Sequence, residues 1–287
     1  MTEIRNAVER LLAGKHAGPF SWQAVGRGVG GSVWRVHGAD GVWFVKIAAD
    51  DPRMLAAEAD GLRALAECRE LRVPEVTATD DGFLVLEWLD FGGKTPQAAA
   101  QLGEQLATQH RNFGAHFGWR RNNFIGATPQ FNTPNDDWVS FFREHRLGFQ
   151  LRLAAENGYR GALQEQGARL MQSLPAFFAG HVLQPSLLHG DLWGGNWGVL
   201  SSGEPVIFDP AVYYGDREAD LAMTELFGGF PPEFYSAYEA IWPLDAGYRT
   251  RRDLYNLYHV LNHLNLFGET YQVQSLDLMR RLNAETR

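Results

Sequence analysis

A glycine-rich turn near the amino terminus limits the folds that this chain can adopt. Residues 26–33 read GRGVGGSV and match the pattern G-x-G-x-x-G-x-V. A dinucleotide-binding fold would place a helix directly after such glycines, but residues 33–36, VWRV, continue as a strand. The pattern therefore favours a hairpin that covers phosphate groups, although a hairpin without a ligand explains it equally well. The backbone groups predicted to approach phosphate belong to Gly26, Gly28, Gly30, Gly31 and Ser32.

A lysine stands inside the apolar segment that follows this turn. Lys46 belongs to the strand-like run VWFVKI at residues 42–47, where an unpaired ammonium group would be costly to bury. Glu58 lies on the next predicted helix and is the expected partner, in a pair that aims the ammonium at the α- and β-phosphates of a nucleotide. The alternative is a lysine on an edge strand and a solvated glutamate on a helix.

The predicted secondary structure changes near residue 91. Before it, short strands and a helix opened by Asp51-Pro52 predict a small antiparallel sheet with one key helix. After the pair Gly92-Gly93 the periodicity is mostly helical, with a long irregular stretch predicted at residues 113–134. We therefore expect an α+β protein with an amino-terminal lobe at 1–91 and a larger helical lobe at 92–287. Exposed main chain around Glu87 and Leu89, at the crossing, is expected to pair with an adenine edge.

A polar loop carries the strongest chemical signal. The segment HGDLWGGN at residues 189–196 places Asp191 five positions before Asn196, and Asp209 follows thirteen positions later. This spacing is typical of phosphoryl transfer, in which Asp191 would accept the proton of an attacking hydroxyl and Asn196 with Asp209 would bind Mg²⁺ on the phosphates of ATP. A glycine-rich polar turn between two strands is the alternative.

Residues in and near this loop are expected to have supporting roles. His189 is expected to brace the loop rather than to move a proton, and Asp220 is expected to hold the loop by accepting backbone N–H bonds, with Asp216 and Glu218 as possible helpers. The carboxylates could equally serve only at the start of a helix. Trp193 stands beside two glycines and could form a platform for a sugar ring, or it could pack in the core as most tryptophans do.

Composition excludes several classes of protein. A net charge of −8 argues against a general nucleic-acid or anionic-membrane binder. No apolar run approaches the roughly 18 residues that span a bilayer, and the charged start MTEIRN does not look like a secretory signal. The one cysteine, Cys68, cannot form an internal disulfide, which is typical of a reducing compartment. We therefore expect a cytoplasmic protein.

Several longer segments resemble the fructosamine/ketosamine-3-kinase family. They are HGDLWGGN at 189–196, NFIGATPQ at 123–130, FDPA at 208–211, YGDREADLAM at 214–223, LFGGF at 226–230 and YNLYHVLNH at 255–263. The resemblance spans nearly the full chain and implies a protein-kinase-like bilobal fold. It also implies an ATP- and Mg²⁺-dependent enzyme with Asp191 as base, Asn196 and Asp209 as metal ligands, and Lys46 with Glu58 as the phosphate-orienting pair.

The resemblance further implies a substrate. Members phosphorylate the 3-hydroxyl of ketosamines, the adducts of a sugar aldehyde with an amine, and the product is labile, so that the amine is regenerated in a deglycation repair. The expected partner is a small ketosamine or a glycated lysine, with the oligomeric state open. Some relatives carry a cysteine in the glycine turn that permits redox-linked dimers, but Gly31-Ser32 stands there in this chain. A kinase of another amino sugar, aminoglycoside or amino alcohol, and a silent nucleotide-binding module, are the alternatives.

Overall fold

The amino-terminal part of the protein is built on one antiparallel sheet. The computed structural model describes residues 2–28 and 30–286, so Val29 of the glycine turn lies outside the described residues. Five strands pair in the order β1-β2-β3-β5-β4. The elements of this part are α1 Thr2–Ala13, β1 Ser21–Gly28, β2 Gly31–His37, β3 Val42–Ala48, α2 Arg53–Cys68, β4 Val76–Asp80 and β5 Phe83–Glu87.

The pleat of β3 decides which way Lys46 faces. Trp43, Val45 and Ile47 are buried and share a core with Val8 of α1, whereas Lys46 belongs to the alternating, less buried set. Since successive side chains of a strand point to opposite faces, Lys46 emerges on the face away from α1. The apolar alternation around the lysine therefore places its side chain on the face opposite the buried side chains of β3.

Helix α2 starts slightly later than the sequence suggested. Pro52 precedes the helix, which begins at Arg53, and Asp51 accepts the backbone N–H of Arg53 at 3.0 Å. The helix ends at Cys68, and the next residue, Arg69, has a left-handed φ of 64°. At the amino-terminal end of the helix, Asp51 thus satisfies one of the free N–H groups, as a capping residue does.

Helix α2 is also attached to the second half of the chain. Asp60 accepts hydrogen bonds from Trp119 Nε1 at 2.8 Å and from Arg120 Nη2 at 2.6 Å. One position further on, a side chain at Gly61 would meet Val212 at 3.2 Å and Pro210 at 3.3 Å. The helix backbone therefore packs closely against the segment that follows Asp209.

The remainder of the chain is mostly helical, as expected. Its helices are α3 Pro96–Gln109, α4 Trp138–Phe141, α5 Gly148–Glu156, α6 Ala162–Phe177, α7 Glu218–Leu226, α8 Pro232–Ile241, α9 Tyr248–Phe267 and α10 Gln272–Glu285. A π-helical segment, Phe142–Leu147, joins α4 to α5, and a 3₁₀ turn, Glu269–Tyr271, precedes α10. Among the described residues, no helix is both long and apolar enough to cross a membrane.

Short strands correct the expectation of an irregular segment at 113–134. This segment contains a hairpin of β6 Asn123–Ile125 and β7 Thr128–Gln130. Three further pieces surround the polar loop, namely β8 Ser186–Leu188, β9 Trp197–Val199 and β10 Pro205–Ile207. A strand that the sequence did not indicate, β11 Tyr213–Gly215, pairs with β8. Strands of three residues carry too little periodicity to be recognised in sequence.

Candidate active site

A cavity of about 340 Å³ lies between the sheet and the helical part of the protein. It collects predicted residues from four separate stretches of the chain. These are Gly28, Gly30, Gly31 and Ser32 from the glycine hairpin, Lys46, Glu58, and the group Asp191, Trp193, Asn196 and Asp209. Residues far apart in sequence therefore converge on one volume.

Lys46 is the electrostatic centre of this cavity. Its Nζ lies 2.8 Å from Glu58 Oε1 and 2.6 Å from Asp209 Oδ1. Burial disfavours the charged ammonium, but the charges of Glu58 and Asp209 outweigh it and raise the pKa of Lys46 above its ordinary value. Burial in turn raises the pKa of the Glu58 carboxyl, against the lowering effect of Lys46. The lysine is thus a permanent cation between two acidic groups.

The glycine hairpin approaches β3 so closely that one position tolerates no side chain. Gly31 has a φ of 152°, and a Cβ there would stand 1.9 Å from the carbonyl oxygen of Ile47. Gly28 pairs with Gly31 and Arg27 with Ser32. Gly31 and Ser32 therefore lie beside the end of β3 and line the cavity together with Gly28 and Gly30, an arrangement that suits contact with phosphate oxygens.

Asp191 stands on a loop that is fixed from two sides. Asn196 Nδ2 donates to the backbone oxygen of Asp191 at 2.8 Å. Gly190 has a φ of 82°, and a Cβ at this position would lie 2.1 Å from the Ala211 carbonyl oxygen. Burial, followed by the charges of Asp209 and Asp220, raises the pKa of Asp191 to about 7. A carboxyl with a pKa near neutrality suits general base chemistry.

His189 and Asp220 lie behind this loop and do not line the cavity. Asp220 is buried and accepts the backbone N–H groups of His189 at 2.7 Å and Gly190 at 2.8 Å. His189 Nε2 donates to the Phe208 carbonyl at 2.9 Å, so its Nδ1 is left to accept the N–H of Asp191 at 3.2 Å. Burial lowers the pKa of His189, which keeps the imidazole neutral.

The proposed metal ligands offer suitable atoms. Asp209 has a left-handed φ of 57°, an uncommon conformation for a residue other than glycine, and its carboxylate is about half exposed in the cavity. The Asn196 amide uses its nitrogen to bind Asp191, which leaves the side-chain oxygen as an acceptor. Two oxygen donors beside the glycine hairpin would fit Mg²⁺, which prefers oxygen ligands and usually keeps several waters.

Trp193 reaches the cavity from the outer end of the loop. Its indole is 39% exposed, and its ring lies over Gly195, where a Cβ would come within 2.3 Å of it. Phe227 contacts it edge-on, with ring centroids 6.4 Å apart. Trp193 is therefore a surface ring beside Asp191 and not a core residue.

Some predicted residues lie outside the cavity. Gly26 belongs to β1 and does not line the cavity, although its partner Val33 does. Glu87 pairs its side chain with Arg72 and uses its own N–H to bind Glu75 O at 3.0 Å. The adenine contact at Glu87 and Leu89, and the lobe boundary at residue 91, between β5 and α3, stay predictions.

Asp216 and Glu218 do not help to hold the loop and belong to a separate ion-pair cluster. Asp216 accepts hydrogen bonds from His181 Nε2 at 3.0 Å and from the Tyr255 hydroxyl. Glu218 accepts two hydrogen bonds from Arg251, at 2.6 and 2.9 Å. Asp216 and Glu218 therefore do not have the role expected of them, which shows that nearby carboxylates at a helix start can bind different neighbours.

Sequence reasoning missed one wall of the cavity, formed by the β6–β7 hairpin. Asn123, Phe124 and Gly126 line it. Asn123 Nδ2 donates to Val212 O at 2.7 Å, and Gln130 Nε2 donates to Ala211 O at 3.1 Å. The hairpin is thereby joined to the segment directly after Asp209. The NFIGATPQ segment carried the signal, since its amides needed buried partners, but no role was assigned to it.

A buried arginine supports the hairpin from behind. Arg146, in the π-helical segment, donates to Asn132 Oδ1 at 2.7 Å, and Asn132 donates to Asn123 Oδ1 at 2.7 Å. The guanidinium lies 4.0 Å from the ring centroid of Tyr213. A chain of hydrogen bonds therefore runs from this helix to the cavity wall.

Comparisons with known proteins agree with this site. A solved structure of a protein assigned as a fructosamine-3-kinase from Thermobifida fusca superposes with a TM-score of 0.86 at 34% identity, covering 96% of this chain and 98% of that one. More distant structures, such as choline kinase LicA from Streptococcus pneumoniae, share the fold alone, with a TM-score of 0.63 at 13% identity. The predicted fold class, a kinase-like bilobal α+β protein, is confirmed.

Relatives found by sequence identify the family of kinases to which the chain belongs. A protein from Synechocystis assigned as a ketoamine kinase is 46% identical over 245 residues, 83% of this chain and 82% of its own length. The chloroplastic protein-ribulosamine 3-kinase of Arabidopsis thaliana is 43% identical over 256 residues, 85% of this chain and 78% of its own. The family model for fructosamine kinase matches residues 4–285. The chain belongs to the fructosamine kinase family, which confirms the resemblance.

Proposed function

We propose that this protein transfers the γ-phosphoryl group of ATP to the 3-hydroxyl of a ketosamine. One observation carries the proposal, namely that Asp191, the Lys46–Glu58 pair and Asp209 line a single cavity beneath the glycine hairpin. These are the parts that phosphoryl transfer requires: a base, a cation for the phosphates and a carboxylate for the metal. Family membership supports an alcohol group as the acceptor.

The residues divide the reaction among them. Asp191 accepts the proton of the substrate hydroxyl as that oxygen forms its bond to the γ-phosphorus, and the bond from this phosphorus to the bridging oxygen of ADP breaks. Lys46, oriented by Glu58, binds the α- and β-phosphates, and the backbone N–H groups of the hairpin cover them. Asn196 keeps the Asp191 backbone in place through its amide nitrogen.

Asn196 and Asp209 would hold Mg²⁺. The ion supplies charge neutralisation on the phosphate oxygens when it is bound. In the protein itself Asp209 is paired with Lys46 at 2.6 Å. Asn196 belongs to the loop and Asp209 stands two residues after β10, so the short β9–β10 hairpin between them sets their spacing.

The proposed substrates are ribulosamine- and fructosamine-type adducts, free or on protein lysines. The names of the relatives, ketoamine kinase and protein-ribulosamine 3-kinase, support this class. Trp193 would stack on the sugar, because its exposed ring lies two positions from the base. Phosphorylation at this hydroxyl makes the adduct labile, so the enzyme would act in deglycation repair, and its single cysteine supports a cytoplasmic setting.

A phosphate-transfer screen tests the proposal. The acceptors are ribulosamine, fructosamine and erythrulosamine adducts of one blocked lysine, two aminoglycosides, and the parent sugars and amine as controls. We expect ADP release only with the ketosamines, and phosphorus–proton NMR correlation of the product should place the phosphate on O3. Transfer to aminoglycosides alone would establish the alternative substrate class, and transfer to no acceptor would contradict a kinase of either kind.

A further inference from the structure

A continuous strip of aromatic side chains leads outward from the catalytic cavity. We define the aromatic strip as Phe227, His263, Phe267 and Tyr271. His263 lies at its centre, with ring centroids 5.0 Å from Phe227, 5.3 Å from Phe267 and 5.1 Å from Tyr271. Phe227 is 43% exposed and Phe267 is 60% exposed. Large rings at this exposure leave apolar area in water, which favours a ligand over a purely structural role.

Two contacts join the strip to the cavity. Trp193 lines the cavity and contacts Phe227 at 6.4 Å between ring centroids. Gly126, which also lines the cavity, faces Leu266 of α9, since a Cβ at Gly126 would lie 3.2 Å from the Leu266 side chain. The carboxyl-terminal end of α9 therefore borders the cavity and carries Phe267 away from it.

Among the described residues, no arginine or lysine side chain lies over the ring of Trp193, Phe227 or Phe267. In residues 2–28 and 30–286, six of the nine tryptophans have an arginine or lysine over the ring, namely Trp22, Trp34, Trp88, Trp119, Trp197 and Trp242. Trp43 and Trp138 are buried in the core. Trp193 is the one tryptophan of the described residues that is both exposed and without such a partner, and the exposed strip rings Phe227 and Phe267 also lack one there. Their negative faces remain available to a cation from outside.

His263 does not supply a competing positive charge. Its Nδ1 bonds to the carbonyl oxygen of His259 at 2.7 Å and must donate to it. Burial lowers the pKa of His263, so the imidazole stays neutral near pH 7. The strip therefore combines exposed apolar area with neutral rings, which suits a group that is both cationic and hydrocarbon-rich.

We propose that the aromatic strip binds the amine side of the ketosamine, meaning the nitrogen and the alkyl or peptide chain attached to it. The inference rests on the proposed function. In a ketosamine the amine is bonded to C1, two carbons from the C3 hydroxyl, so a sugar with its O3 at Asp191 sends the nitrogen and its substituent toward one edge of the cavity. The amine is secondary and protonated at neutral pH. Rings attract such an ammonium ion and cover its hydrocarbon substituent.

The strip would thus set which amines are accepted, independently of which sugar is accepted. A short substituent such as methyl ends near Trp193 and reaches little of the strip. A lysine side chain or a peptide extends over Phe227 toward Phe267. We therefore expect a preference for ketosamines of lysine and of longer amines over those of methylamine.

The test holds the sugar constant and varies the amine. Ribulosamines of methylamine and of an Nα-blocked lysine are assayed with the wild-type chain, with Phe267→Ala, and with Phe113→Ala as a matched control, because Phe113 is 47% exposed, does not line the cavity and contacts Trp242. The measured quantity is the ratio of kcat/KM for the lysine adduct to that for the methylamine adduct. We expect Phe267→Ala to lower this ratio roughly three- to tenfold, in line with the loss of one aromatic contact to a cation and its chain. Phe113→Ala should leave the ratio unchanged.

The outcomes separate this inference from the proposed function. Wild-type transfer to both adducts, with an unchanged ratio in Phe267→Ala, would overturn the role of the strip and leave the kinase assignment standing. An equal loss on both adducts would do the same, because it would assign Phe267 to the sugar or to the fold. Thermal melting of each variant identifies a loss of fold, and in that case Phe267→Leu, which keeps the bulk but not the ring, replaces it. Transfer to neither adduct by the wild-type chain would overturn the function and the inference together.

Discussion

Lys46 and Asp209 are 163 positions apart in sequence, yet Lys46 Nζ lies 2.6 Å from Asp209 Oδ1. The same ammonium lies 2.8 Å from Glu58. In the proposed reaction the phosphates of ATP replace Asp209 as one anionic neighbour of the lysine, while Glu58 remains. In that reaction the two carboxylates would have different roles: Glu58 would orient the cation throughout, and Asp209 would be released to bind metal.

Glu58→Gln should weaken nucleotide binding specifically. Without the carboxylate, Lys46 loses the partner that orients it and is drawn toward Asp209, so we expect KM for ATP to rise roughly tenfold, equivalent to about 1.4 kcal/mol. KM for the ketosamine should change less than about twofold. Steady-state kinetics with each substrate varied in turn measure both values. Glu67→Gln is the control, since Glu67 lies on the same helix and is exposed; an unaltered ATP dependence in Glu58→Gln would contradict the pairing role.

Asp191→Ala should abolish most of the turnover and leave nucleotide bound. Removal of a general base lowers kcat by roughly 10²- to 10⁴-fold, while Lys46 and the glycine hairpin are untouched. Titration calorimetry with ATP, beside single-turnover phosphate transfer, separates the two effects. Asp136→Ala serves as the control, because the Asp136 side chain is 85% exposed. Near-normal turnover by Asp191→Ala would mean that another group removes the proton.

Trp193→Ala should affect the sugar more than the nucleotide. The exposed indole lies beside the proposed base and contacts Phe227 edge-on. Its loss should therefore raise KM for the ketosamine roughly fivefold, within the range of aromatic contacts, and should change KM for ATP little. Substitution by Phe should restore part of the affinity. An unchanged ketosamine KM in both variants would remove Trp193 from the substrate site.

Gly190→Ala should damage both stability and catalysis. A Cβ at this position would stand 2.1 Å from Ala211 O, and φ is 82°, so the loop that carries Asp191 must shift. We expect a loss of about 2 kcal/mol or more in the free energy of unfolding, measured by urea denaturation, together with lower kcat. Gly93→Ala is the control, since no atom lies within 4 Å of a Cβ built there. Equal stabilities of the two variants would refute this account of the loop.

Stability should fall as the solution becomes alkaline because of His181. Burial opposes protonation of this imidazole, but the hydrogen bonds and charges of Asp216, Asp245 and Glu218 outweigh it and raise the pKa of His181 to about 9 from an ordinary value of 6.5. The folded state therefore holds the proton more tightly than the unfolded state. The resulting stabilisation is complete below pH 6.5 and is lost as pH rises through 9.

The matched measurement compares the wild-type chain with His181→Gln. Urea unfolding at pH 6.5 and at pH 9.5 should show a decrease on the order of 1–3 kcal/mol in the wild type that is smaller in the variant. NMR titration of the His181 ring gives the pKa directly. A midpoint near 6.5, or identical pH dependence in the two proteins, would show that the carboxylates do not retain the proton.

Local signals predicted much of the site, and long-range contacts explain the rest. Lys46 stood out because a charge interrupted an apolar strand, and Asp191 with Asn196 stood out because of their spacing. The amides of the β6–β7 hairpin indicated buried partners but not which ones: its strands have three residues each, and Asn123 finds its partner, Val212, 89 positions away. Gly26 matched the glycine pattern but lies in β1 outside the cavity, since a pattern of letters does not show where the turn occurs.

The contacts of α2 determine how firmly the Lys46–Glu58 pair is held. Asp60 ties this helix to Trp119 and Arg120, and Gly61 rests against Pro210 and Val212. Helix α2 also packs against β3, β4 and β5, so Glu58 lies on a helix that contacts both halves of the enzyme, while Lys46 belongs to the sheet. Any movement of the sheet relative to α2 would change the 2.8 Å distance between Lys46 Nζ and Glu58 Oε1, so this ion pair would resist such movement.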